Sequence, residues 1–444
     1  MNATERGMGL SLRALNRLAG SGLLDRVGQR SRVERLVYHG TRQGFRAAGA
    51  TSRGFIAASK LARPARQGHA RSSDLFDISL EEEQQMLREA IGAFAAEQVR
   101  PAASAADGAC ATPPELLAQA SELGMTTLGV PEELGGVMEE RSAVTSALVA
   151  ESLAHGDLGI AFAALAPGAV ASALGLWGDA EQQATYLPAF TAENPPAAAL
   201  ALVEPRALFD PLKLTARARR EEGDWVLTGT KALVPRAGED ELFVIAANAD
   251  GLGPALFVVE SSTKGLLVED EPAMGLRAAA TGRLTLEDAR VPAAALLGAS
   301  SPEGEGRREV YLECVQRARI AWCALAVGAA QAVLDYVIPY VNERVAFGEP
   351  ISNRQAVAFA VADVGIELEG MRLLTYRAAS RADTGKDFAR ESALARRLCA
   401  EKGARIGSEG VQLLGGHGYV KEHPVERWYR DLRAVGVMEG ALLV

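Results

Sequence analysis

The run Gln412-Leu413-Leu414-Gly415-Gly416-His417-Gly418-Tyr419, with Arg427-Trp428-Tyr429-Arg430-Asp431 and Met438-Glu439-Gly440 behind it, decides how this chain is read. An apolar helical stretch ends at Leu414, and the glycines after it act first as a helix C-cap and turn. They also leave bare backbone that can lie against a diphosphate or an adenosine. No strand precedes them, so they are not the glycine fingerprint of a dinucleotide-binding βαβ unit. Glu439 stands after Met438 and before Gly440, Ala441 and Leu442. Burial in apolar company raises a carboxyl's pKa and can poise it as a base near neutral pH. The adjacent Gly440 lets main chain approach a ligand closely, as polarising a carbonyl through backbone N–H groups requires. On these residues alone, a surface carboxylate near a chain end is the simpler reading.

Upstream stands Glu343-Arg344-Val345-Ala346-Phe347-Gly348, where Arg344 reads locally as a cation favouring a helix C-terminus. In this fixed order the motifs resemble the acyl-CoA dehydrogenase family, whose members are flavin enzymes. The resemblance spans roughly residues 78 to 444. Val130-Pro131-Glu132-Glu133-Leu134-Gly135-Gly136 fits the family's helical domain. Gly229-Thr230-Lys231, Glu271 to Arg277, Ala289-Arg290-Val291-Pro292 and Leu297-Gly298 fit its β domain.

The resemblance implies an α+β chain with an N-terminal helical domain, a small central β-barrel or sandwich, and a C-terminal four-helix bundle. It makes Glu439 the catalytic base and assigns Gln412, Gly415 and Gly416 to the ADP half of FAD. Arg344 falls on the diphosphate, with Phe347 and Gln355 flanking the same cofactor. Gly440 and Arg319 fall beside the substrate, although Arg319 also reads as a helix-surface charge. In the family the Arg344 patch serves a neighbouring subunit's flavin, which implies a homodimer or homotetramer. The implied activity is FAD-dependent α,β-dehydrogenation of a fatty acyl-CoA to a trans-2-enoyl-CoA. Glu439 removes the α-proton, FAD accepts the β-hydride, and an electron-transferring flavoprotein reoxidises the cofactor.

Two segments depart from the family pattern. Where the family reads Thr-Glu-Pro, two variable residues and Gly-Ser-Asp, this chain has Val203-Glu204-Pro205-Arg206-Ala207-Leu208-Phe209-Asp210. Where a Trp-Ile-Thr walls the flavin ring, it has Leu233-Val234-Pro235. Proline brings neither hydroxyl nor N–H. A neutral hydrogen bond contributes about 1 kcal/mol, so FAD retains its ADP contacts while the ring loses partners. A catalytically degenerate acyl-CoA- or flavin-binding scaffold subunit is therefore the competing reading.

The 444 residues, 48% hydrophobic and 23% charged, have the composition of an ordinary globular protein with room for two or three domains. Cys110, Cys314, Cys323 and Cys399 form no CxxC or Cys/His cluster, so neither a metal site nor a disulfide framework is expected. The net charge of -9 is uneven. Up to residue 72, thirteen arginines and Lys60 face only Glu5, Asp25 and Glu34, a segment near +11. The acidic remainder argues against nucleic-acid binding. Residues 1–73 carry leucines at helical spacing between arginines, the pattern of short basic amphipathic helices. Such an extension reads as a tail, a targeting segment, or a contact with a membrane surface or partner. A lipid-binding protein acting through it is a third functional reading. The expected location is cytoplasmic or at the periphery of the inner membrane, and mitochondrial in a eukaryote.

The uncharged stretch Leu158–Gly178 is long enough to cross a bilayer, but its Ala and Gly content and Pro167-Gly168 suggest a buried helix pair. Its small residues leave room for a deep acyl pocket. Helical periodicity begins at Ile78 and returns near 308–344, 353–382 and 387–414. Between them, Trp225–Thr228, Leu242–Ile245, Ala255–Val259 and Arg283–Leu286 read as strands. The expected divisions are 1–73, 74–196, 197–300 and 301–444.

Overall fold

The computed structural model describes residues 79–136, 141–299 and 306–439. The chain divides into two units, Met1–Leu75 and Phe76–Val444, and the described residues belong to the second. The expectations for the basic extension and for Gly440 lie outside the described residues.

Helices come first: α1 (Glu82–Phe94), α2 (Arg100–Ala109), α3 (Pro114–Glu122), α4 (Ala143–Ala154), α5 (Leu158–Trp177) and α6 (Ala180–Phe190). A π-turn over Ala95–Val99 joins α1 to α2, so the helical periodicity expected from Ile78 passes through a locally widened turn and on to Ala109. Helix α5 corrects an expectation. It is one continuous helix of 20 residues with Pro167 inside it, not a pair. A proline there costs about 3 kcal/mol in an isolated helix, but fourteen of its residues are buried, and that packing holds it together. Asp157 caps it, its carboxylate accepting from the Ile160 N–H at 3.0 Å and from Arg427 Nε at 2.8 Å.

A seven-stranded curled sheet follows, built from β1 (Ala198–Ala201), β2 (Arg217–Glu221), β3 (Asp224–Val234), β4 (Leu242–Ala249), β5 (Gly253–Glu260), β6 (Leu266–Asp270) and β7 (Gly282–Val291). The order is β1-β4-β2-β3-β7-β6, with β5 antiparallel to β4 along its length. The small β domain expected from the sequence is thus present, with three strands its pattern did not show.

The C-terminal part contains α7 (Arg307–Glu343), a ribbon of β8 (Val345–Ala346) and β9 (Glu349–Pro350), α8 (Gln355–Asp383), α9 (Ala389–Leu414) and α10 (Val425–Leu432). At 37 residues, α7 runs about 55 Å and packs against both helical groups. Gly328 explains how α7 approaches α4 so closely: an added Cβ would lie 2.1 Å from the Glu151 carbonyl oxygen. One apolar core, including Leu153, Leu158, Trp322, Met371 and Trp428, joins the two helical groups. A second, around Trp225, Phe243 and Phe257, fills the curled sheet. Helices α5 and α7 are apolar and long enough to cross a membrane, yet both are largely buried in these cores.

Candidate active site

Glu439 follows a short 3₁₀ turn after α10 and has φ +54, a left-handed conformation unusual for a residue with a Cβ. Three contacts fix it. Arg396 Nη2 on α9 donates to the Met438 carbonyl, and Arg319 Nη2 on α7 donates to the Glu439 carbonyl at 3.4 Å. Trp322 Nε1, one helical turn beyond Arg319, donates to Glu439 Oε1 at 2.9 Å. The other carboxylate oxygen, Oε2, is buried and has no hydrogen-bond partner among the described residues. Burial pushes the carboxyl up to about 7, against the opposing pull of the Arg396 charge, the Trp322 bond and the Arg319 charge. A carboxylate with one oxygen anchored and one unpartnered, half-ionised near neutrality, is equipped to take a proton.

The carboxylate faces a cavity of about 100 Å³ walled by Phe162, Ala166, Leu202, Val203, Ala232, Leu233, Pro235, Trp322 and Met438, among others. Trp322 packs on Phe162 with ring centroids 4.6 Å apart, so α7 and α5 meet beside Glu439. Val203, Ala232 and Leu233 are shared with a neighbouring cavity of about 340 Å³, whose further walls include Pro205, Glu271, Gly436 and Val437. The altered segments 203–210 and 233–235 therefore lie beside Glu439. The Leu233 N–H is already engaged, donating to Glu271 Oε2 at 2.7 Å. Behind this wall Lys231 and Glu204 form a fully buried pair at 3.1 Å. Burial drives the Lys231 ammonium down to about 8 despite its partner. For Glu204, burial is outweighed by Lys231 and by donors from Thr215 and Ala216, which hold it below the usual carboxylate range.

Arg344, Phe347, Gln412, Gly415 and Gly416 come together in a separate groove of about 700 Å³. Gln355 does not line it; it begins α8, exposed, while its neighbours Arg354, Ala356 and Val357 do. The loop after α9 is braced from below. Tyr340 Oη bonds His417 Nδ1 at 2.8 Å, Tyr336 Oη bonds His423 Nδ1 at 2.6 Å, and the two imidazoles stack. A Cβ at Gly415 or Gly416 would meet nothing within 4 Å, so the backbone borders open groove. Arg344 has no ion pair among the described residues, and Phe347 is 96% exposed. Bare backbone, an uncompensated guanidinium and an open aromatic face suit a nucleotide diphosphate. The FAD expected from the sequence fits here at its ADP end. The walls around the Glu439 carboxylate are mostly aliphatic.

Three family models match in succession: the acyl-CoA dehydrogenase N-terminal domain over residues 81–194, the middle domain over 199–289 and the C-terminal domain over 305–442. The chain belongs to the acyl-CoA dehydrogenase family. Acyl-CoA dehydrogenases are FAD flavoproteins and oxidoreductases acting on CH–CH donors. Among curated relatives, the mouse mitochondrial short-chain specific acyl-CoA dehydrogenase is 35% identical over 371 residues, covering 82% of this chain and 88% of the relative. The acryloyl-CoA reductase (NADH) of Anaerotignum propionicum is 34% identical over 375 residues, covering 82% and 92%. Butyryl-CoA dehydrogenase from Megasphaera elsdenii superposes with a TM-score of 0.76 at 28% identity, covering 83% of this chain and 97% of that one.

Sequence reasoning missed Trp322 and Arg396. Trp322 had a signal, since it follows Arg319 by one helical turn on the same face. Arg396 had none, because only the packing of α9 under the 434–439 segment brings it to Met438.

Proposed function

We propose that this acyl-CoA dehydrogenase acts on an acyl-CoA thioester with Glu439 as the base that removes the α-proton. The observation that carries the reading is the buried, unpartnered Glu439 Oε2 facing an apolar cavity. Proton transfer to that oxygen needs no prior loss of a hydrogen bond, while Trp322 keeps Oε1 oriented. The Glu439 N–H, which has no acceptor among the described residues, is the donor we assign to the thioester carbonyl; polarising that carbonyl acidifies the α-proton. Phe162, Leu165 and Leu325 exclude water from the base. FAD, when bound, supplies the acceptor for the β-hydrogen and its electron pair. Arg344, Gln412, Gly415 and Gly416 are the residues we assign to its ADP half, and an electron-transferring flavoprotein is the assigned electron partner.

We also assign a homo-oligomer. The ADP groove and the cavities beside Glu439 share no lining residue, which supports a second copy supplying one half of the cofactor's surroundings.

Anaerobic mixing of the FAD-loaded protein with saturated acyl-CoAs tests the reading. Flavin absorbance is expected to bleach, with the rate falling at least about a hundredfold in Glu439→Gln. A flavin that stays oxidised with every substrate overturns it. The aliphatic wall Val203, Ala232, Leu233 and Pro235 then favours a scaffold that binds without turnover.

A further inference from the structure

The cavity at Glu439 does not end beside the base. Ala150, Leu165, Ala169, Leu200, Ala318 and Ala321 line it and equally line a second cavity of about 290 Å³. The two adjoin across these shared residues, end to end between α4, α5 and α7. The second follows α4 for about 10 Å, from Ala150 back to Ala143. Its walls are mostly apolar, with Ala147, Gly168 and Ala173 the small residues along it and Ser172 a polar one; the Ser146 hydroxyl is used within its own helix, donating to the Ser142 carbonyl at 3.0 Å.

The far end is cationic. Arg317 Nε donates to Glu313 at 2.7 Å, and its guanidinium lies over Phe388. Arg141 has no ion pair or hydrogen bond among the described residues, and burial together with the Arg317 charge pushes its pKa down. Its guanidinium lies against Gly175, where a Cβ would come within 2.8 Å of Nη1. Asp383 also lines this end, but its carboxylate accepts from the Ser142 hydroxyl and from the Ala143 and Val144 N–H groups at the start of α4. A mostly apolar passage that begins at Glu439 therefore ends at an arginine that is open to solvent on its outer side and has no counter-ion among the described residues.

We propose that the passage takes an acyl chain whose far end carries a carboxylate, held by Arg141 with Arg317 beside it; this rests on the acyl-CoA dehydrogenase reading of Glu439. Polymethylene suits these mostly apolar walls, whereas the several amides of a pantetheine arm would lose water there and find few partners beyond the Ser172 hydroxyl. A methyl-ended chain offers the Arg141 and Arg317 guanidinium groups no acceptor. A terminal carboxylate supplies both charge and the paired oxygens that a guanidinium accommodates.

The test compares FAD-loaded wild-type protein and Arg141→Gln on two ladders of acyl-CoAs of matched length, one ending in methyl and one in carboxylate. The wild type is expected to favour the carboxylate ladder at its best length. The ratio of the two kcat/KM values is expected to fall about tenfold to a hundredfold in Arg141→Gln, as loss of a charge-assisted hydrogen bond implies. Calorimetric affinities in the non-reacting Glu439→Gln background are expected to show the same preference and the same loss. A wild-type preference for methyl ends at every length, or a ratio unmoved by Arg141→Gln, overturns the proposal while leaving the dehydrogenase reading intact. An equal loss on both ladders that vanishes with acyl-pantetheine thioesters assigns Arg141 to coenzyme A phosphates and also overturns it. A flavin reduced by neither ladder refutes the underlying function, and the proposal with it.

Discussion

Glu439 and Trp322 set the acid–base behaviour of this site between them. Because burial raises the carboxyl to about 7, kcat/KM should rise with pH through an inflection near that value, where the free enzyme's base loses its proton. Trp322→Phe keeps the ring against Phe162 but removes the donor that favours the ionised form. The inflection is expected to move upward by about one unit, readable in a pH–rate profile. The same group bears on stability. Its native pKa lies above its unfolded value near 4.5, so the native state holds the proton longer and loses stability as pH rises between the two. The deficit reaches about 3 kcal/mol above pH 7. Glu439→Gln should therefore melt higher than the wild type at pH 8, with the difference shrinking toward pH 4. Glu439 was singled out only through the family resemblance, since its own neighbours read more simply as a surface carboxylate, and the structure buries it instead. Arg396 was not, because nothing in the chain between α9 and Met438 records that they touch.

Legibility at the scale of elements followed burial. The long helices α7, α8 and α9 matched their apolar periodicity to within two residues at either end. Strands β3, β4, β5 and β7, with mostly buried faces, were visible as short apolar runs. Strand β2 reads Arg-Ala-Arg-Arg-Glu, and β6 reads Leu-Leu-Val-Glu-Asp with its apolar half largely exposed; neither shows the buried apolar face of the other strands, and both are held in place by pairing with β3, β4 and β7. Strand β3 also carries Lys231, whose pairing with Glu204 ties the sheet to the 203–210 segment. Lys231→Met leaves the Glu204 carboxylate buried without its counter-ion and should lower the unfolding free energy by about 3–5 kcal/mol in denaturant titrations. The double variant Lys231→Met/Glu204→Gln, with no orphan charge, should recover part of that loss.

For the whole molecule, the order of three C-terminal motifs fixed the fold class because a four-helix arrangement and a nucleotide groove both depend on them. The mode of assembly was less legible. Along α8, Phe359, Ile366 and Leu373 recur every seven residues and are exposed, Ile366 at 70%. A stripe of that spacing on one helix is what a partner helix covers. Ile366→Lys is expected to shift the protein to a smaller species in sedimentation velocity. The FAD content of the purified protein should fall with it if the groove at Arg344 and Phe347 is completed by a second copy.

The indole that steadies Glu439 has an optical consequence. Tryptophan emission responds to its hydrogen bonds, and Trp322 has its N–H on a carboxyl that changes charge near pH 7. In the flavin-free protein, the part of the fluorescence that disappears in Trp322→Phe is a built-in reporter. Its titration would read the protonation of the base with no substrate, dye or turnover required.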